Sequence, residues 1–230
     1  MRQAIHLPLG HLEYGVTYNL QRRLLELRRL GEIADAVITV EHDPVFTIGR
    51  SGSRDEILVD EPSLAREGIS IHQVERGGRI TYHGPGQLVL YPIIDLRDHG
   101  RDIRGYVRNL EQSVIDYLEE VGIAGTRREG FPGVWVKTKK IASIGVYVRH
   151  WITMHGLAVN VDVNKSHFQM INPCGLQIQV TSVAEHTTDD HPLTEVGAGL
   201  LSRLARLFQW RFKEVDPARF IGVGAQGGHR

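Results

Sequence analysis

The chain has 230 residues, enough to bury a substantial core and about the size of one domain with a small appended lobe. Its 27 Lys and Arg balance 27 Asp and Glu, so no overall basic excess points to nucleic acid. Apolar residues make up 41% and charged residues 23%, the composition of an ordinary soluble protein. The start, "MRQAIHLPLGHLEYG", has no apolar signal core, and no run reaches the length of a membrane span, so a cytoplasmic, membrane-free monomer is expected. The single cysteine, Cys174, precludes an internal disulfide.

Residues 4–8 read as a short strand. Across 11–30, Leu20, Leu24, Leu27 and Leu30 recur at helical spacing, and Gly31 is a natural stop. The β-branched run 36–42 predicts a buried strand, and "PVFTIGR" a second extended piece. Residues 51–68 are polar and read mostly as loop. Residues 69–74 predict a strand entering "RGGRITYHGPGQ" (76–87), and 87–96 a strand leaving it. Pro92 argues for an edge position or an irregularity there.

Tyr106, Leu110, Val114, Ile115 and Leu118 mark a second helix over 103–121. "GVWV" and "KIASIGVYV" predict a hairpin through "KTK", and 152–163 another strand. Residues 192–210 predict a third helix, with Thr194 a possible cap. The tail lacks apolar bulk and should fray. No repeat or linker divides the chain. The order of elements predicts an α+β fold, a mixed β-sheet with helices mainly on one face.

The glycine stretch invites a phosphate-loop reading, but no Walker spacing occurs. Gly84 and Gly86 lack the third glycine of a dinucleotide fingerprint, because Val89 stands there and a strand follows. A plain turn between strands would explain the glycines. It would not explain Arg76, Tyr82 and His83 beside them, and glycines also let backbone approach a ligand closely.

Cys174 lies in "INPCG", where the flanking Asn-Pro and Gly imply a turn. It is either a small buried hydrophobe or a nucleophile needing a nearby cation or base. Simple alternation puts Lys140 on the face of Ala142, Ile144, Val146 and Val148, either snorkelling to water or desolvated as a base. His155 falls on the face of Leu157, Val159 and Val161, the usual place of a hydrogen-bonded core histidine. His42 ends a buried strand and suits either reading. No zinc-binding histidine motif occurs among the candidates, so no metal is expected.

Taken together, "EHDPVFTIGR", "RGGRITYHGPGQLVLYPI", "GVWV", "KIASIGV", "HGLAVNV" and "INPCG" resemble, in order, the lipoyl(octanoyl) transferases of lipoate biosynthesis. Asp43, where a small residue or proline is expected, is a minor departure. The resemblance implies a biotin/lipoate-protein-ligase-like fold and a single catalytic domain, placed over 1–220 with the apolar-poor 221–230 as a flexible tail. It implies transfer of octanoyl from acyl carrier protein to a lysine of lipoyl domains, those of 2-oxoacid dehydrogenase complexes and glycine cleavage H protein. It further implies an acyl-thioester on Cys174, with Lys140 lowering the thiol pKa or acting as base. Acyl-binding positions map to Arg76, Gly77, Gly78, Arg79, Ile80, Thr81, Tyr82 and His83, to Ser143, Ile144 and Gly145, and to Gly156, Leu157 and Ala158. No cofactor is implied, since the donor rides on the carrier's phosphopantetheine. Arg22, Arg23, Arg28, Arg127 and Arg128 are candidates to meet the acidic carrier. The alternatives are an ATP-dependent lipoate or biotin ligase of the same fold, and a non-catalytic carrier-binding module.

Overall fold

A computed structural model describes residues 1–172 and 178–221. The chain opens with strand β1 (Arg2–His11), longer than the five residues expected, and helix α1 (Tyr14–Leu30). The Glu13 carboxylate caps α1 by accepting from the N–H groups of Gly15 and Val16, and left-handed Gly31 (φ 77°) ends it. Strands β2 (Asp35–Glu41) and β3 (Val45–Ile48) follow.

The segment expected to be loop contains helix α2 (Glu61–Arg66), started by the Asp60 side chain and Pro62. One turn and a half is too short for its periodicity to show, but the Asp-x-Pro signal was there to read. Strand β4 (Ser70–Gln73) enters the glycine stretch. That stretch is not simply a turn: Ile80–His83 form a strand of their own, β5, before β6 (Gln87–Ile93). Helix α3 (Ile103–Glu120), the hairpin β7 (Gly133–Val136) and β8 (Lys139–Arg149), and β9 (Ile152–Asn160) come next.

Helix α4 (Leu193–Phe208) is preceded by Pro192, with Thr194 inside it rather than at the cap. It stops at left-handed Gln209 (φ 56°), and a short strand β10 (Trp210–Glu214) follows that periodicity did not reveal. The last nine residues, including most of the expected tail, lie outside the described residues.

A seven-stranded sheet runs β10-β1-β2-β6-β9-β8-β7, and a three-stranded sheet runs β4-β3-β5. Pairing is parallel for β10-β1-β2 and antiparallel from β2 to β7, so the sheet is mixed. The edge expectation for Pro92 fails, because β6 is the central strand. The irregularity is there instead: β6 pairs β9 only over Gln87–Leu90, and Pro92 lies beyond that ladder. Gly156 of β9 passes so close that a Cβ there would lie 2.2 Å from the Leu90 carbonyl oxygen and 2.6 Å from Pro92 Cδ.

Helices cover both faces, not mainly one. Val37, Leu90, Leu157 and Val159 pack with Leu110, Val114, Leu118, Leu200 and Leu204 of α3 and α4. Ile38, Val89, Tyr91 and Met154, of opposite parity, pack with Leu20, Leu24 and Leu25 of α1. Strict alternation along β2 and β6 supplies both layers, because a central strand must be apolar on each side. The small sheet has its own core, around Phe46, Ile80 and Tyr82. No helix among the described residues is long and apolar enough to cross a membrane.

Candidate active site

On the α1 side of the large sheet, a cavity of about 910 Å³ opens between β8 and β9 and the glycine stretch. Its roof begins at Arg76. The guanidinium is buried and donates to Thr47 through Nε (3.2 Å to Oγ1) and Nη2 (2.5 Å to the carbonyl oxygen). Nη1 donates to the Gly77 carbonyl at 3.1 Å. No carboxylate pairs with it among the described residues, and burial lowers its pKa. Neutral oxygens thus hold a cation against the cavity. Arg79 and Ile80 are fixed by the buried Glu56: its carboxylate pairs with the Arg79 guanidinium and accepts from the Ile80 N–H at 3.1 Å.

Lys140 does not project where alternation puts it. Trp135 pairs with Lys140 but Val134 pairs with Ala142, so Ile141 is an extra residue, a β-bulge. The bulge reverses the parity of everything before it. Ile141 and Ala142 stay in the α3–α4 core, while Lys140 turns with Trp135 to the cavity side. Its Nζ lies 5.6 Å from the centre of the Trp135 ring. Opposite, Gly133 sits at φ 128°, and a Cβ there would lie 2.6 Å from Lys140 Cε, so only glycine leaves the lysine arm this path. Burial, and then repulsion from Arg76, push the amine down to about 8, against a weaker pull upward from Glu111.

Cys174 itself lies outside the described residues, but the described residues on either side of it are pinned. Upstream, the Asn172 N–H donates to the Glu56 carbonyl at 2.8 Å. Downstream, the Lys140 N–H donates to the Gln179 carbonyl at 2.8 Å and the Thr181 N–H donates to the Lys140 carbonyl at 3.0 Å. The backbone of Lys140 is therefore zipped to the described segment that follows Cys174 in sequence. Gln179 follows Cys174 by five residues in the sequence.

At the other end the cavity is walled by rings. The His83 Nδ1 donates to Gln87 Oε1 (2.6 Å), an orientation fixed because Gln87 Nε2 donates to Asn160. His42 holds the Tyr91 hydroxyl at 2.9 Å, and Tyr14 stacks on His83 at 6.3 Å. Burial pushes His83 down to about 3 and His42 down to about 4, so both are neutral at pH 7.

His155 also departs from its expected face. Its φ of 60° breaks the alternation of β9 and swings the ring off the Leu157 side, toward Tyr18 and Tyr91. Gln21 secures that backbone by accepting the His155 N–H at 2.9 Å. Nε2 faces Glu75 at 3.8 Å, beyond hydrogen-bond reach, and Tyr18 donates to the same carboxylate at 2.7 Å. The facing His155 and the Tyr18 hydroxyl hold Glu75 down to about 2.

Of the residues singled out in the sequence, Arg76, Gly78, Arg79, Ile80, Thr81, His83, Lys140, Ser143, Ile144, Gly145, Gly156, Leu157 and Ala158 line this one cavity. Gly77 and Tyr82 do not. The Gly77 N–H donates to the Val146 carbonyl at 2.9 Å, fastening the glycine stretch to β8. The Tyr82 ring turns into the small sheet's core, where its hydroxyl meets His167 Nδ1 at 2.8 Å. Thr81 and His83 line the cavity, and Tyr82, between them on β5, packs into the small sheet's core. Among the basic candidates, Arg28 is tied to Asp35 and Asp98, and Arg127 to Glu111. Sequence reasoning missed Tyr14, Thr47, Glu56, Glu75 and Trp135. Only Thr47 and Trp135, inside the motifs "PVFTIGR" and "GVWV", carried any signal.

The cavity thus holds a lysine amine brought down to about 8. Residues 13–205 match the family model of the lipoyl protein ligase A/B catalytic domain. The chain belongs to that family. It is 44% identical over 210 residues to an octanoyltransferase of Solibacter usitatus, covering 91% of this chain and 95% of that one. An octanoyltransferase of Chloroflexus aggregans is 42% identical, with 92% and 97% covered. Among solved structures, the bipartite lipoate protein ligase of Thermoplasma acidophilum, studied with its E2 lipoyl domain, superposes with a TM-score of 0.76 at 17% identity. It covers 96% of this chain and 91% of that one. The biotin protein ligase of Aquifex aeolicus gives 0.53 at 16% identity, covering 91% and 71%. At these identities the solved structures establish the fold, which is the α+β ligase-like fold expected from the sequence.

Proposed function

We propose that the protein moves an octanoyl group from the phosphopantetheine thioester of acyl carrier protein to a lysine of lipoyl domains, including the glycine cleavage H protein, through an acyl-Cys174 intermediate. It acts as a monomer without cofactor or ATP. The observation that carries this reading is Lys140: its amine is brought down to about 8 inside the cavity, and its backbone is hydrogen-bonded to the described segment that follows Cys174 in sequence.

An ordinary thiol has a pKa of about 8.5, so thiol and amine are closely matched and one proton passes between them at little cost. In the first step the Cys174 thiolate attacks the thioester carbonyl. The bond to the carrier sulfur breaks, and the leaving thiolate takes the proton from the Lys140 ammonium. In the second step the acceptor amine attacks the acyl-cysteine. The carbon–sulfur bond to Cys174 breaks, and neutral Lys140 takes the surplus amine proton. The cavity's rigid walls hold the chain while the two nucleophiles exchange.

Incubation with octanoyl-carrier protein in the absence of ATP tests this. Intact mass should show one octanoyl adduct on the parent and none on Cys174→Ser, and the adduct should discharge onto a lipoyl domain. Equal adducts on both proteins would remove Cys174 as the nucleophile, and transfer only with octanoate and ATP would replace the reading with its ligase alternative.

A further inference from the structure

The end of the cavity remote from Lys140 is not aliphatic, and that has a bearing on what it accepts. His155 is 2% exposed, yet it lines the cavity. Its Nε2 is buried with no hydrogen-bond partner, and its Nδ1 makes none among the described residues. Because Nε2 faces the ionised Glu75, the ring proton belongs there, which leaves Nδ1 as an unused acceptor. Two neighbours share this condition. The Tyr14 hydroxyl makes no hydrogen bond among the described residues, and with Nδ1 of His83 committed to Gln87, its Nε2 is a second free acceptor.

The placement matches the far end of a medium chain. His155 pairs with Val146, six residues along β8 from Lys140. Ile141 is a bulge and adds no rise, so five strand steps of about 3.3 Å put the two positions roughly 16 Å apart. The lysine arm, the acyl chain and the histidine side chain together fill such a span. A methyl group pressed into that end would cover these acceptors without matching them, whereas a hydroxyl satisfies one of them.

We infer that His155 forms a hydrogen-bonding subsite at the inner end of the acyl cavity, so that the enzyme takes a medium chain with a terminal hydroxyl in preference to the isosteric all-carbon chain. The inference rests on the octanoyl-transfer reading above, and it makes His155 a specificity-determining residue rather than a catalytic one.

8-Hydroxyoctanoyl and nonanoyl groups have the same number of heavy atoms, so comparing them cancels length. On the parent protein, competition between the two carrier-bound donors should favour the hydroxy chain at least tenfold in kcat/KM. His155→Leu should remove that preference. His155→Asn, which keeps an acceptor and is at ease in left-handed backbone, should retain most of it. Parity, or a preference for nonanoyl on the parent protein, overturns the inference, as does an undiminished preference in a folded His155→Leu. Should the leucine variant not fold, the parent's ratio decides. Binding of free 8-hydroxyoctanoate and nonanoate, measured by calorimetry, separates this from the activity reading. A protein that binds the hydroxy acid more tightly but transfers nothing retains the subsite and loses the proposed reaction.

Discussion

The two faces of β8 and β9 are built on different rules. Toward α3 and α4 the strands present Ala142, Leu157 and Val159, one aliphatic side chain after another at the spacing a strand dictates. Toward the cavity the same strands carry a bulge, a left-handed histidine, and glycines placed where a methyl group would strike backbone. The first face stabilises by area and packing. The second keeps charged and polar groups where they lack full partners. Local rules are broken where chemistry needs a side chain that the regular pattern would send the other way.

Substitutions should separate the two faces. The largest effect belongs to the cavity face. Lys140→Met should lower transfer by about 10²- to 10⁴-fold, the usual worth of a positioned acid–base group. It should leave the melting temperature at or above the parent's, since a desolvated cation is removed. A variant that melts lower and transfers normally would place Lys140 in the structural class. On the other face, Leu110→Ala, at a fully buried position, should cost about 2–5 kcal/mol in urea unfolding. Its turnover per folded molecule should be unchanged. A loss of turnover beyond the loss of folded protein would show that the faces are coupled.

Acid tests the polar end as a whole. The folded values of His83 and His42, about 3 and about 4, lie below the unfolded value near 6.5, so the unfolded chain binds more protons between those limits. Stability should therefore fall as pH drops from 6.5, by on the order of 2 kcal/mol for each histidine at pH 5. A flat unfolding free energy between pH 7 and pH 5 would mean that these rings are not held neutral. The smallest effect is at Trp135. Trp135→Leu removes the ring beside the Lys140 ammonium, and cation–π contacts are worth about 0.5–2 kcal/mol. The amine should titrate roughly half a unit to one unit lower, read from the pH dependence of transfer. A rise would contradict it.

The same contrast explains what the sequence disclosed. The leucine spacing of α1 and the 106–118 stripe of α3 are long and regular, so both helices are visible without a structure. The motifs around Arg76, Lys140 and Gly156 announced a site, and most of their residues meet at one cavity. What stayed hidden depends on single backbone events. One extra residue at Ile141 decides which way Lys140 points, and alternation has no means of counting it. Strand β10 is missed because five residues after a helix carry too little pattern, and its pairing with β1 spans the whole chain. The roles of Glu56 and Thr47 are equally non-local, since each acts through a partner more than twenty residues away.

Asn172 is fastened to Glu56, and Gln179 and Thr181 to Lys140, a tether at each end of the segment that carries Cys174. Adding a residue to such a tether costs folding little, because closure entropy grows only slowly with length. Under the proposed mechanism transfer would feel an insertion far more, since each residue changes the reach of the chain by up to about 3.5 Å. An insertion between Asn172 and Gln179 is therefore expected to spare folding and to cost transfer.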